Sequence, residues 1–183
     1  MSYSSLHDSY TANQQVDVDN GVPKQAPSLC LCGSLKFWDE MIQANAMLVT
    51  KNIISIPSGF SMKYPEKFPV VKDYVLDNPE KMKKIFDELH FQKIMLADGI
   101  WVLNVDDYIG DSTKREIKFS NRIGKPIFTT EPCKFCDENQ IRYVIVPLNV
   151  DYNFPANFYR CKEAIPEIYR DAFKEYVEKV DGE

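Results

Sequence analysis

Residues 110–117 read GDSTKREI and end in a carboxylate with two available roles. Close to the start of a helix, Glu116 is favoured in its charged form. Such a carboxylate can attack the anomeric carbon of a sugar, form a covalent glycosyl-enzyme intermediate and share charge with an oxocarbenium-like transition state. The same residues also spell a capping box, with Thr113 as the cap and Glu116 three positions on. Asp111 and Ser112 are cap-forming types as well. Where the helix begins decides between chemistry and capping.

Three further groups carry chemical potential. Gly33-Ser34-Leu35-Lys36 is a glycine turn opening a helix, with free N–H groups, a hydroxyl and a cation that suit a phosphate; a plain strand-to-helix turn capped by Ser34 is the alternative. His90 is the histidine of the folded region. Its ordinary pKa suits a general acid near neutrality, although a helical histidine is often a hydrogen-bonded packing residue. Asp98 precedes an apolar run and, by itself, caps or orients neighbouring backbone.

Composition narrows the partners. A net charge of −5 over 183 residues argues against a nucleic-acid polymer or an acidic membrane surface. No apolar run approaches the roughly 20 residues of a membrane span. Residues 1–27 are polar and aperiodic and are expected to form a disordered leader without a signal sequence. Five cysteines without an export signal suggest reduced thiols and a cytoplasmic setting. Cys30 and Cys32 alternate in an apolar run, which puts both sulfurs on one buried face of a strand. Cys133-Lys134-Phe135-Cys136 is a lone C-x-x-C, and Cys161, His90 and His7 offer no matching spacing for a four-ligand zinc site. The cysteines are read as structural, and no metal or cofactor is expected.

The elements that must position these groups follow from periodicity. Strands are expected at 28–32, 52–57, 99–105, from 126 and at 141–148. Helices are expected at 35–50, 79–97, 113–122 and, broken near Pro166, at 156–180. Residues 58–78 form a long loop, a candidate lid whose Phe60, Tyr64 and Phe68 could stack on a base together with Phe37 and Trp38. Lys63, Lys67 and Lys72 of this loop are read as solvated. Strands alternating with helices imply an α/β fold: a Rossmann-like parallel sheet of about five strands, helices on both faces, in one domain. The domain proper is 28–150, and 151–183 is a helical segment packed on it or at an oligomer interface. Ligands of such sheets bind beyond the carboxyl ends of the strands, which puts Gly33-Ser34, the loop after Pro57 and the GDSTKRE stretch on one rim.

Cys-Gly-Ser-Leu-Lys after the first strand, Leu96-Ala97-Asp98-Gly99-Ile100-Trp101-Val102 into the third, and Ser112-Thr113-x-x-Glu116 followed by Gly124-Lys125-Pro126 occur in that order. Together, over residues 29–128, they resemble the nucleoside 2-deoxyribosyltransferase superfamily, which includes the 2′-deoxynucleoside 5′-phosphate N-hydrolases. The resemblance implies Glu116 as nucleophile, Gly33, Ser34 and Lys36 at a phosphate, and Asp111, Ser112 and Thr113 against the sugar. It implies homo-oligomers and a nucleoside or nucleotide as partner. Two positions depart from the family pattern. Gly110 stands six residues before Glu116, with the acid moved to Asp111, and His90 stands where the family carries an aspartate eight residues before Asp98. The expected activity is cleavage or transfer of an N-glycosidic bond, with Glu116 attacking, His90 assisting departure of the base and Asp98 in support. Phosphoribohydrolases share Thr-x-x-Glu but carry a Gly-Gly-x-Gly that is missing here. The rival expectation is a non-catalytic nucleotide-binding or sensing module in which Glu116 is only the cap.

Overall fold

The structure, a computed structural model, describes residues 26–58, 72–148 and 165–173. The sheet grows around two strands whose sequences are apolar without alternation, as strands covered on both faces require. These are β1 (Ser28–Gly33) and β3 (Gly99–Leu103), buried throughout except at Gly33. They pair in parallel, with Cys32 opposite Val102 and Gly33 opposite Leu103. β2 (Ile54–Ile56), β4 (Ile127–Thr129) and β5 (Val144–Ile145) complete an all-parallel sheet of order β2-β1-β3-β4-β5.

The helices are α1 (Trp38–Thr50), after a 3-10 turn at Leu35–Phe37, α2 (Lys72–Asp77), α3 (Pro79–Leu96), α4 (Asp111–Arg122), α5 (Lys134–Glu138) and α6 (Glu167–Arg170). Among the described residues, none is long and apolar enough to cross a membrane. Two cores flank the sheet because successive strand residues point to opposite faces. On one face Leu29, Leu31, Trp101, Leu103 and Phe128 meet Met41, Ala44 and Leu48 of α1, together with Ile165, Tyr169 and Phe173. On the other, Cys30, Cys32, Ile100 and Val102 meet Ile94 and Ala97 at the end of α3, Ile117 of α4, and Cys133 and Cys136. The chain therefore leaves β1 toward one face and β3 toward the other. A crevice opens between their carboxyl ends, which is the usual ligand position in doubly wound sheets.

Several boundaries differ from the sequence expectation. β5 is two residues long because Ile141 N–H closes back on the Cys136 carbonyl, while Pro147 has no N–H with which to extend the ladder. Part of the expected 58–78 loop is α2, separated from α3 because Pro79 disfavours a helical conformation at Asn78 (φ −138°, ψ 55°). The C-x-x-C stretch, for which no element was expected, carries α5, with the Cys133 sulfur accepting from the Cys136 N–H. Ile165, Tyr169 and Phe173 of the C-terminal segment pack on the chain's own sheet, and the Tyr169 hydroxyl donates to the Ser28 carbonyl at 2.9 Å. The lid aromatics Phe60, Tyr64 and Phe68, with Lys63 and Lys67, lie outside the described residues. So do Phe154, Phe158, Tyr159 and Tyr176, as well as His7, Cys161 and residues 1–25 of the expected leader.

Candidate functional site

The rim begins at the turn after β1. A Cβ on Gly33 would stand 3.1 Å from the Leu103 carbonyl oxygen, and the residue's φ of +156° is one that side chains rarely adopt. Glycine is what lets the end of β1 come this close to β3. Ser34 caps the 3-10 turn: its hydroxyl accepts from the Lys36 N–H at 3.4 Å. Lys36 itself turns away. Its ammonium sits 3.1 Å from the Tyr108 ring centroid and 4.5 Å from that of Phe37. Phe37 in turn packs edge-on against Tyr108. Of the four turn residues, Gly33, Ser34 and Leu35 line the crevice and Lys36 does not.

The second rim element is α4, and its start settles the role of Glu116 as a cap. The N-cap is Gly110, three residues earlier than the expected Thr113, without a side-chain capping bond. Thr113 is therefore the third helical residue, buried against the domain, and Glu116 belongs to the second turn. No capping box forms. Helical spacing instead puts Ser112, Thr113 and Glu116 on one side, facing α3.

His90 meets them there. Its burial follows from its place on the inward stripe of α3, one turn before Ile94. His90 Nε2 lies 3.6 Å from Glu116 Oε2, with the two side chains only 10% and 12% exposed. The same nitrogen is 3.5 Å from Cys32 Sγ. Glu116 Oε2 and His90 Nδ1 are buried without a hydrogen-bond partner among the described residues. At that separation two opposite charges attract by about 5 kcal/mol at an effective dielectric of 20, comparable to the cost of burying them. Burial alone would lower the pKa of His90; the attraction of the Glu116 carboxylate outweighs it and holds the imidazole above its ordinary value.

A cavity of about 270 Å³ joins these groups. It is lined by Gly33, Ser34 and Ser58 on one side, Phe86, Asp87 and His90 from α3, and Gly110, Asp111, Ser112, Thr113 and Glu116. Asp87 is held by Lys83 at 2.8 Å and Arg115 at 2.9 Å. Burial would raise its carboxyl, but these two cations outweigh it and keep it below the ordinary value. The Arg115–Asp87 contact cross-ties α4 to α3 at the mouth, and Arg115 also donates to the Ser112 hydroxyl of its own helix at 3.1 Å.

Seven of the residues singled out from sequence thus converge: Gly33, Ser34, His90, Asp111, Ser112, Thr113 and Glu116. Lys36 and Phe37 stand beside the cavity against Tyr108. Asp98 is not brought to the site. It sits at the opposite end of the sheet, where its Oδ2 accepts from the Ser28 N–H at 2.8 Å and from the Ser28 hydroxyl at 2.7 Å. The sequence reading missed Phe86 and Asp87, although each lies about one helical turn before His90, a spacing that would have found them. It also missed Asn104, fully buried, which ties the end of β3 to Thr130, Glu131 and Pro132. Between Asn104 and α4, Asp106 and Asp107 both adopt left-handed backbone (φ 53° and 56°), a conformation aspartate tolerates better than most residues.

Comparison of the chain with protein-family models, curated proteins and solved structures gives no match.

Proposed function

We propose that this protein cleaves or transfers the N-glycosidic bond of a nucleoside or its 5′-monophosphate, with Glu116 as nucleophile. The observation that carries the reading is the orientation of Glu116: its carboxylate turns into a cavity on the ligand-binding rim and faces His90 at 3.6 Å instead of folding onto Thr113. A buried carboxylate oxygen without a hydrogen-bond partner among the described residues is costly to maintain, and a sugar carbon is a partner that would use it.

In this reading a Glu116 oxygen bonds to C1′ as the C1′–N bond breaks, and the electron pair of that bond leaves on the base nitrogen. Nucleophile and acid on opposite faces of a sugar stand about 5–5.5 Å apart; His90 is closer, on the side of Glu116. His90 therefore first orients the carboxylate. Forming the ester removes the carboxylate's charge, the imidazolium loses the partner that held its proton and releases it to solvent, and the departing base takes its proton from water on the opposite face. Water attacking C1′ then regenerates Glu116 and gives a hydrolase; a second base gives a transferase. Gly33, Ser34 and the uncapped start of α4 supply N–H groups for the sugar and any 5′-phosphate.

Incubation with each deoxynucleoside and deoxynucleoside monophosphate, with and without an acceptor base, followed by chromatography, tests the reading. Free or exchanged base is expected, reduced roughly 10³-fold or more in Glu116→Ala and Glu116→Gln. Turnover that survives both substitutions, or no turnover with any of these substrates, rejects it; in the second case a raised melting temperature with the same compounds identifies a binding module.

A further inference from the structure

Beneath the cavity floor, donors that were scattered in sequence converge. Cys30 and Cys32 alternate along β1, so both sulfurs emerge on the face that α3 covers. One ligand atom each from Cys30, Cys32 and His90 lie within 4.8 Å of one another, and all three residues are at least nine-tenths buried. The Cys32 Sγ to His90 Nε2 distance is 3.5 Å. Two ligands of a tetrahedral zinc, at about 2.3 Å for sulfur and 2.0–2.1 Å for nitrogen, stand roughly 3.5–3.6 Å apart. Glu116 Oε2 lies 3.6 Å from that same nitrogen and has no hydrogen-bond partner among the described residues.

The geometry points to a site for a thiophilic divalent cation, with Cys30, Cys32 and His90 as ligands, Glu116 beside His90 and the fourth position open toward the cavity. Two thiolates favour zinc over magnesium or calcium. Binding releases the two thiol protons to solvent and takes the Nε2 lone pair of a neutral His90. His90 and Glu116 both line the cavity, which provides the entry path. Sequence spacing concealed the set because its members come from β1 and α3, with His90 58 residues from Cys32. One consequence rests on the proposed reaction: the ion takes up His90 and sits beside the Glu116 carboxylate, so metal binding and N-glycosidic chemistry exclude each other, and zinc inhibits.

Cobalt reports directly on such a site. Reduced, metal-free full-length protein titrated with Co²⁺ should develop a thiolate-to-cobalt charge-transfer band in the near ultraviolet that saturates at a single equivalent and is bleached by Zn²⁺. Cys32→Ser should abolish the band. Cys133→Ser/Cys136→Ser, which removes the other described thiol pair, should keep it. Glu116→Gln leaves both sulfurs in place, guards against a Cys32→Ser chain that does not fold, and should weaken binding about tenfold or more. Absence of the band, its survival in Cys32→Ser, or its loss in the Cys133/Cys136 variant overturns the site. Base release measured on the same samples separates the two readings. A cobalt band without base release keeps the site and rejects the glycosidic reaction. Base release without the band does the reverse, and base release suppressed by stoichiometric zinc supports both.

Discussion

At the scale of single residues, His90 and Glu116 make stability depend on pH in a way that burial alone would not. The folded state raises the His90 pKa above its ordinary 6.5, because Glu116 outweighs desolvation. Below the unfolded value both states are protonated and the stabilisation is fully present; as pH rises through the higher folded value it is lost. The melting temperature should therefore decline from about pH 6 to about pH 8 through this group. Glu116→Gln removes the opposing charge and leaves burial as the largest influence, so the folded His90 pKa falls below 6.5. The His90 contribution then reverses: stability is lost as pH drops below that value. Thermal unfolding of both proteins across this range checks the sign, and parallel profiles would show that the pair does not titrate as described. Glu116 was legible in sequence because a carboxylate after Ser-Thr on a strand-helix rim has few chemical uses. Asp87 was not, because Arg115, the partner that marks it, is 28 residues away along the chain.

Among the elements, the connection from β3 to α4 decides whether Glu116 is presented correctly, and Asn104 anchors it. Its side-chain amide donates to the Glu131 and Pro132 carbonyls, and its oxygen accepts from the Thr130 N–H, the Thr130 hydroxyl and the Glu131 N–H. Asn104→Ala leaves several of these buried groups unpaired and should cost about 3 kcal/mol in urea unfolding, with an unchanged m value. Any base release should fall with it, since α4 hangs from this loop. A loss below about 1 kcal/mol would mean that water replaces the amide. Long periodic elements such as β1, β3 and α3 could be read from sequence, because their patterns span several turns or a fully buried strand. The start of α4, the shortness of β5 and the existence of α5 could not. Each depends on one or two backbone bonds, such as Lys114 N–H to the Gly110 carbonyl and Ile141 N–H to the Cys136 carbonyl, that periodicity does not encode.

For the whole molecule, the two cores divide the labour: the site belongs to the α3–α4 face, while stability is also built on the face opposite. There Phe128 packs edge-on against Tyr169, with ring centroids 5.0 Å apart, and Phe173 lies 5.4 Å from Phe128. Sequence alone left open whether this C-terminal aromatic segment covers its own sheet or a neighbouring subunit, since an amphipathic stripe looks the same in both. Its described part covers its own sheet, and that has a measurable consequence. Phe173 is fully buried, so Phe173→Ala should cost about 3–5 kcal/mol, which for a chain of this length lowers the melting temperature by roughly 10 °C. Because the contact is intramolecular, that loss should be the same at dilute and concentrated protein; a contact between subunits would make it vary with concentration. The cobalt response of the opposite face should persist in the folded variant, because the donors belong to the other core. A concentration-dependent loss would instead place Phe173 at an interface and require the C-terminal segment to be reassigned.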